Sequence, residues 1–241
     1  EMTSSLVGSE MCIRDSLCSC QKELIEYEKG DVKICIEQGE QWLHDFPLFL
    51  GINKKNPPQI AIWLEDTQGN YLSTVYVTHK IATQSWQASG GNRRKEALPH
   101  WCYSRGVKYD DGLYLPTKKE PLIDGISGAT PHESFNIKLN PATALKKFVV
   151  KIEINHSTDF NEAFPKSAKD GEANYSGGKE GSRQPAIVYA ANVDLSSGEK
   201  SFEANLMGHS SPDGSSGEVN KDTSGLTTAL HIVKRITVII Q

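Results

Sequence analysis

Thr130 closes the run Asp124-Gly-Ile-Ser-Gly-Ala-Thr130, and its hydroxyl is a group that can take a phosphate in ester linkage. The residues before it suit that chemistry. Asp124 offers a carboxylate that can orient or deprotonate a reacting hydroxyl. Gly128 and Ala129, following Ser127, are small enough for a second protein to approach the backbone closely. Five specified positions of this kind meet by chance on the order of once per thousand chains of this length, given average residue usage. The competing reading is a plain hairpin turn, because Asp-Gly and Ser-Gly are both turn dipeptides.

The order of Asp, two free positions, Ser, Gly, Ala and Thr resembles the acceptor motif for covalent flavin mononucleotide (FMN). In that motif a dedicated FMN transferase of the ApbE type esterifies the closing threonine. The resemblance implies cofactor attachment at Thr130, with Asp124, Ser127, Gly128 and Ala129 serving the transfer. His132, two residues further on, is placed to hydrogen-bond a flavin or its phosphate. Arg93-Arg94-Lys95 offers positive charge for a phosphate or an acidic partner, although such a trio is more often a solvated helix face. Trp86, Trp101 and Tyr103 could stack on a flavin ring, and the plainer expectation is that they pack a loop onto the domain. Trp42 and Trp63 read as core.

Two enzyme readings of Gly208–Glu218 are weaker. His209 adjoins Ser210 and Ser211, but sequence neighbours are poorly placed for a triad and no GxSxG elbow exists. Asp213, Ser215, Glu218, Asn220 and Asp222 supply oxygens without the spacing of a calcium loop. The remaining histidines, His44, His79, His100, His132, His156 and His231, form no metal-ligand pattern.

Leu6–Ser16 reads as the translation of a transposon-based sequencing adapter and is set aside from fold reasoning. Leu17-Cys-Ser-Cys20 resembles a bacterial lipobox, so Cys20 is the expected lipid anchor, and Gln21 after it suits outer-membrane sorting. Residues 1–19 are then adapter and signal remnant, 20–31 a lipid-anchored tether, and 32–241 a single domain. Counting from Cys20 removes Arg14 from the 26 basic residues and Glu1, Glu10 and Asp15 from the 30 acidic ones. That leaves 25 against 27, a net charge of −2. Such a balance gives no basic face for nucleic acid. Cys35 and Cys102 are compatible with a disulfide outside the cytoplasm or with two unrelated thiols; in the alternation of Val32–Glu37, Cys35 falls on the polar phase.

The elements that must position these residues are strands. Apolar residues alternate at Val32/Ile34/Ile36, Phe135/Ile137/Leu139 and Phe148/Val150/Ile152/Ile154. Ile60–Leu64 is denser and reads as a central strand, turned by Asp66–Asn70 into Tyr71–Thr78. Ile187–Val193, Phe202–Leu206 and Ile232–Ile240 bring the count to about eight. Short, regularly punctuated strands predict an all-β fold, an antiparallel β-sandwich, Ig-like or related, with long loops and little helix. Helix is expected only within Arg93–Trp101 and Leu226–Leu230. Three polar, Gly-rich segments, 84–116, 156–184 and 207–225, exceed ordinary hairpin loops, and such segments are commonly functional.

Several segments in order resemble the bacterial family called domain of unknown function (DUF) 2271. They are Pro58–Asp66 with Gly69, Leu98-Pro-His-Trp101, Asp124–Thr130, Gln184–Tyr189, Gly208-His209 and Leu226-Thr-Thr-Ala229. Where members carry a basic residue after the acceptor motif, this chain has Pro131. The resemblance implies an extracytoplasmic location and association with FMN transferases and membrane electron-transfer proteins. The expected function is a lipid-anchored electron carrier with FMN on Thr130. The alternative is a non-redox sandwich that binds a ligand or a protein.

Overall fold

The computed structural model describes residues 23–25, 31–47, 53–84, 93–122, 125–141, 145–178 and 181–241. Two sheets form the sandwich. The five-stranded sheet takes β1 (Glu23–Ile25), β2 (Val32–Gln38), β8 (Phe135–Leu139), β11 (Ser201–Glu203) and β13 (Val233–Ile240), in the order β1-β8-β2-β13-β11. The six-stranded sheet takes β5 (Gln59–Glu65), β6 (Tyr71–Thr78), β7 (Ile126–Gly128), β9 (Lys147–Asn155), β10 (Ile187–Asp194) and β12 (Asn205–His209), in the order β12-β10-β9-β5-β6-β7. A separate hairpin pairs β3 (His44–Pro47) with β4 (Asn53–Asn56). Pairing is antiparallel except at two short edges, where β1 runs parallel to β8 and β7 parallel to β6.

Period-two patterning explains the interior. Ile34 lies between Ile137 and Val238 in register, and Ile62 faces Ile152 across the other sheet. Their side chains join Phe135, Tyr76 and Trp42 in the core between the sheets. Phe135 reaches across it, with ring centroids 6.1 Å from Trp42 and 6.0 Å from Tyr76. The turn into β6 forms because Asp66 Oδ1 accepts the N–H groups of Gln68 at 2.8 Å and Asn70 at 2.9 Å. Gly69 takes the φ of +86° that this turn requires.

The density of the β5 run has a separate cause. Ile60, Ile62 and Leu64 face the inner core, while Ala61 and Trp63 enter a second cluster on the outer face of the six-stranded sheet. That cluster contains Ala97, Leu98, Trp101, Cys102 and Leu115 from the long segment after β6. The three long segments therefore meet as one layer. Arg94 Nη1 donates to Ser157 at 2.7 Å, His100 Nδ1 lies 2.7 Å from the Gly217 carbonyl, and Asn161 Nδ2 donates to the Gly225 carbonyl at 2.9 Å.

Several expectations change. The run Phe202–Leu206 divides at Ala204: β11 pairs with β13 in one sheet and β12 with β10 in the other. Buried Phe202 and Ala204 carry the chain across the edge of the core. Helix begins later than expected, as α2 (Pro99–Ser104) with Pro99 in its first turn, where a missing N–H costs nothing. An unforeseen single turn, α1 (His79–Thr83), follows β6, and Thr228–His231 is a 3-10 turn. Part of the expected tether is docked, because Glu23–Ile25 joins the sheet as β1. Cys35 is buried despite its polar phase, shaded by its register neighbours Asn136 and Thr237 on a central strand. Cys35 and Cys102 are both buried as thiols and are not joined in a disulfide.

Phe135→Ala should cost about 3–5 kcal/mol, since it empties the contact between the sheets. A denaturant midpoint that falls while the slope stays constant is the expected record.

Candidate functional site

The acceptor-like run lies on the outer edge of the six-stranded sheet. Ile126, Ser127 and Gly128 pair in parallel with Tyr76, Val77 and Thr78 and, among the described residues, have no strand on their other side. Gly125 is required at the approach, because a Cβ there would sit 2.7 Å from Thr74 Cγ2. Ser127 and Ala129 are exposed, as a transferase would need. Thr130 differs. It is only 5% exposed, and its hydroxyl lies 2.8 Å from Thr78 Oγ1. Thr78 Oγ1 also accepts the Ile60 N–H at 2.9 Å, and Trp42 Nε1 donates to the Pro131 carbonyl at 3.1 Å. The run is thus an exposed strand that ends in an inward-turned threonine. His132 is exposed beyond it. Asp124, Trp86 and Cys20 lie outside the described residues.

The other residues considered for a flavin are engaged elsewhere. Arg94 is 5% exposed; its Nε lies 3.1 Å from Glu96 Oε1, and Nη2 donates to Ser182 at 3.2 Å. Arg93 pairs with Asp111 and donates to the Leu115 carbonyl. Both guanidinium groups hold the loop layer together instead of presenting charge to a phosphate. Trp101 is buried, with Nε1 donating to Thr74 Oγ1 at 3.1 Å. Tyr103 stacks on Tyr114 at 4.3 Å, and its hydroxyl donates to the Ser215 carbonyl at 2.7 Å. These aromatic rings pack the loop onto the sheet. Trp42 and Trp63 are core residues, as their sequence context indicates.

Glu153 is the residue that the strand pattern concealed. It points from β9 into the outer cluster and is wholly buried. Its two oxygens accept the backbone N–H groups of His100 at 3.2 Å and Trp101 at 2.8 Å, in the first turn of α2. The Ser210 hydroxyl is a further partner. Burial outweighs these bonds and pushes the carboxyl up to about 8. In sequence Glu153 alternates like any solvent-facing residue beside Lys151. Only the loop layer above it reveals the difference.

The hydrolase reading of His209-Ser210-Ser211, already weak in the sequence, gains nothing from the geometry. Ser210 is fully buried, and its hydroxyl oxygen lies 3.3 Å from the Ala186 carbonyl. His209 Nδ1 lies 2.8 Å from the Ser210 carbonyl, so the ring addresses backbone and not a nucleophile. Asp213 spends Oδ1 on the Ser215 N–H at 3.0 Å, a local turn. Among the described residues no helix is long and apolar enough to cross a membrane.

Set against known proteins, the chain matches no family model, no curated protein and no solved structure. Two further groupings bring separate segments of the chain together. Trp63 packs with Leu98 and Trp101. Gln184 accepts from the Thr227 N–H at 2.7 Å and donates to Thr228 Oγ1 at 2.5 Å, and Thr228 in turn meets Asp159 at 2.7 Å.

Glu153 makes stability pH-dependent with a definite sign. The folded carboxyl keeps its proton up to about 8, while the unfolded one loses it near its ordinary value of 4.5. Its contribution is complete at low pH and is lost as pH rises through about 8. Between pH 6.5 and 8.5 the wild-type protein should lose roughly 1–2 kcal/mol from this group. Glu153→Gln should flatten that decline, as read by thermal unfolding across the same range.

Proposed function

We propose that the protein is an extracytoplasmic lipoprotein, anchored through Cys20, that carries FMN esterified to Thr130 and takes part in electron transfer. An FMN transferase would load it, and a membrane electron-transfer protein would exchange electrons with it. The observation that carries this reading is the edge position of the motif. Among the described residues Ile126–Gly128 pairs with a strand on one side only, and Ser127 and Ala129 are exposed, so a second protein can reach its backbone.

The residues fit an attached FMN under one condition. Thr130 Oγ must leave Thr78 before it can form a bond to phosphorus; the transferase would supply a flavin dinucleotide whose phosphoanhydride bond breaks, releasing the nucleoside monophosphate and the threonine proton. Three residue pairs hold the strand that must yield. The seating of Thr130 against Thr78 would then act as a latch on the unmodified chain. Once bound, FMN supplies the redox chemistry, and the protein supplies retention and position.

A second reading, a non-redox binding module, is favoured by the same buried hydroxyl, which as it stands completes a side-chain contact. The two separate on one measurement. Exported together with an active FMN transferase, the full chain should gain the mass of one esterified FMN, mapped to the Thr130 peptide. In-gel flavin fluorescence should vanish in Thr130→Val while folding is retained. A folded, unmodified product beside a working transferase control would favour the binding module.

A further inference from the structure

A cleft of about 820 Å³ opens between the second and third long segments, away from the acceptor-like edge. Phe164 and Leu226 form its apolar wall, and His209, Glu218 and Asp222 line it. His209 is 6% exposed and is held from three directions. Its backbone exchanges hydrogen bonds with Asn220 at 2.9 and 2.8 Å, its Nδ1 meets the Ser210 carbonyl at 2.8 Å, and its ring stands edge-on to Phe164 at 6.5 Å. Gly208 makes this possible. At φ +139°, a Cβ there would lie 2.0 Å from the Asn220 carbonyl oxygen.

That bonding assigns the ring's chemistry. A carbonyl only accepts, so Nδ1 carries the proton, and in the neutral ring Nε2 is left as a lone pair. Nε2 has no hydrogen-bond partner among the described residues, although the side chain is more than nine-tenths buried on the cleft wall. The Glu218 carboxylate likewise has no partner among the described residues, and Asp222 uses Oδ1 on the Ser224 N–H at 3.0 Å. No lysine or arginine lines the cleft. The carboxylates therefore set the charge of the cleft, beside an apolar wall. Among the described residues no three His, Cys, Asp or Glu side chains converge as they would on a metal ion.

We propose that this cleft binds a small cationic amine, with its alkyl portion against Phe164 and Leu226. One ammonium N–H donates to His209 Nε2, and Asp222 and Glu218 balance the positive charge. An ammonium group matches such a site because it has donors only, three of them, and a compact charge. The proposal is independent of whether Thr130 carries flavin.

The test is a titration of the full chain with 1,4-diaminobutane, followed through the ring nitrogen-15 resonances of His209. A saturable shift of Nε2, with Nδ1 little changed and a Kd on the order of 1 mM, is expected. Asp222 is exposed, so Asp222→Asn should fold normally and weaken binding about tenfold. Absence of a saturable shift would overturn the proposal. So would an equal response to 1,4-butanediol, an Asp222→Asn chain that binds unchanged, or a response to zinc chloride without one to the diamine.

Discussion

The loop layer of this protein depends on a carboxyl group enclosed where carboxyl groups are least welcome. Glu153 is the hub between the six-stranded sheet and the segments above it, because it satisfies the first N–H groups of α2. Those groups would otherwise be orphans under the layer, as the start of any helix leaves several donors without partners. Trp101 is thereby fixed over Trp63, and Arg94 and Glu96 close the layer at its side. A buried acid is a poor source of net stability. Its value here is positional: from β9 it grips a helix by its backbone.

How far the sequence reveals this architecture depends on the range of the interactions involved. Alternation is local, so β2, β8, β9, β10 and β13 are readable from a few residues each. The density of β5 was also readable, although the reason, burial on both faces, needed the long segments to be seen as a layer. Where a decision is tertiary, pattern fails. Nothing within Phe202–Leu206 says that the chain changes sheets at Ala204. Nothing beside Cys35 or Glu153 says that the polar phase of their strands is covered.

The candidate site shows the same division. The sheet-edge placement of Ser127–Ala129 follows from a turn-rich run beside strands. The inward turn of Thr130 follows instead from Thr78, fifty-two positions earlier in the chain. Arg93 and Arg94 resemble a phosphate-binding pair only until Asp111, Glu96 and Ser182 are brought to them. His209 acquires its character from Asn220 and Phe164, neither of which is its neighbour in sequence. Residue type set the available chemistry, and packing decided which atoms remain free to perform it.

The short parallel strand β7 has a consequence for the sheet it borders. It occupies the hydrogen-bonding edge of β6, and an unpaired strand edge is a template for any extended peptide. Departure of β7 would uncover main-chain donors and acceptors along Tyr76–Thr78. A visiting protein that lifts this segment would find a vacant place in the sheet, able to take one of its own strands. A three-residue cover can thus act as a lock on self-association while it stays down and as a docking rail when it lifts.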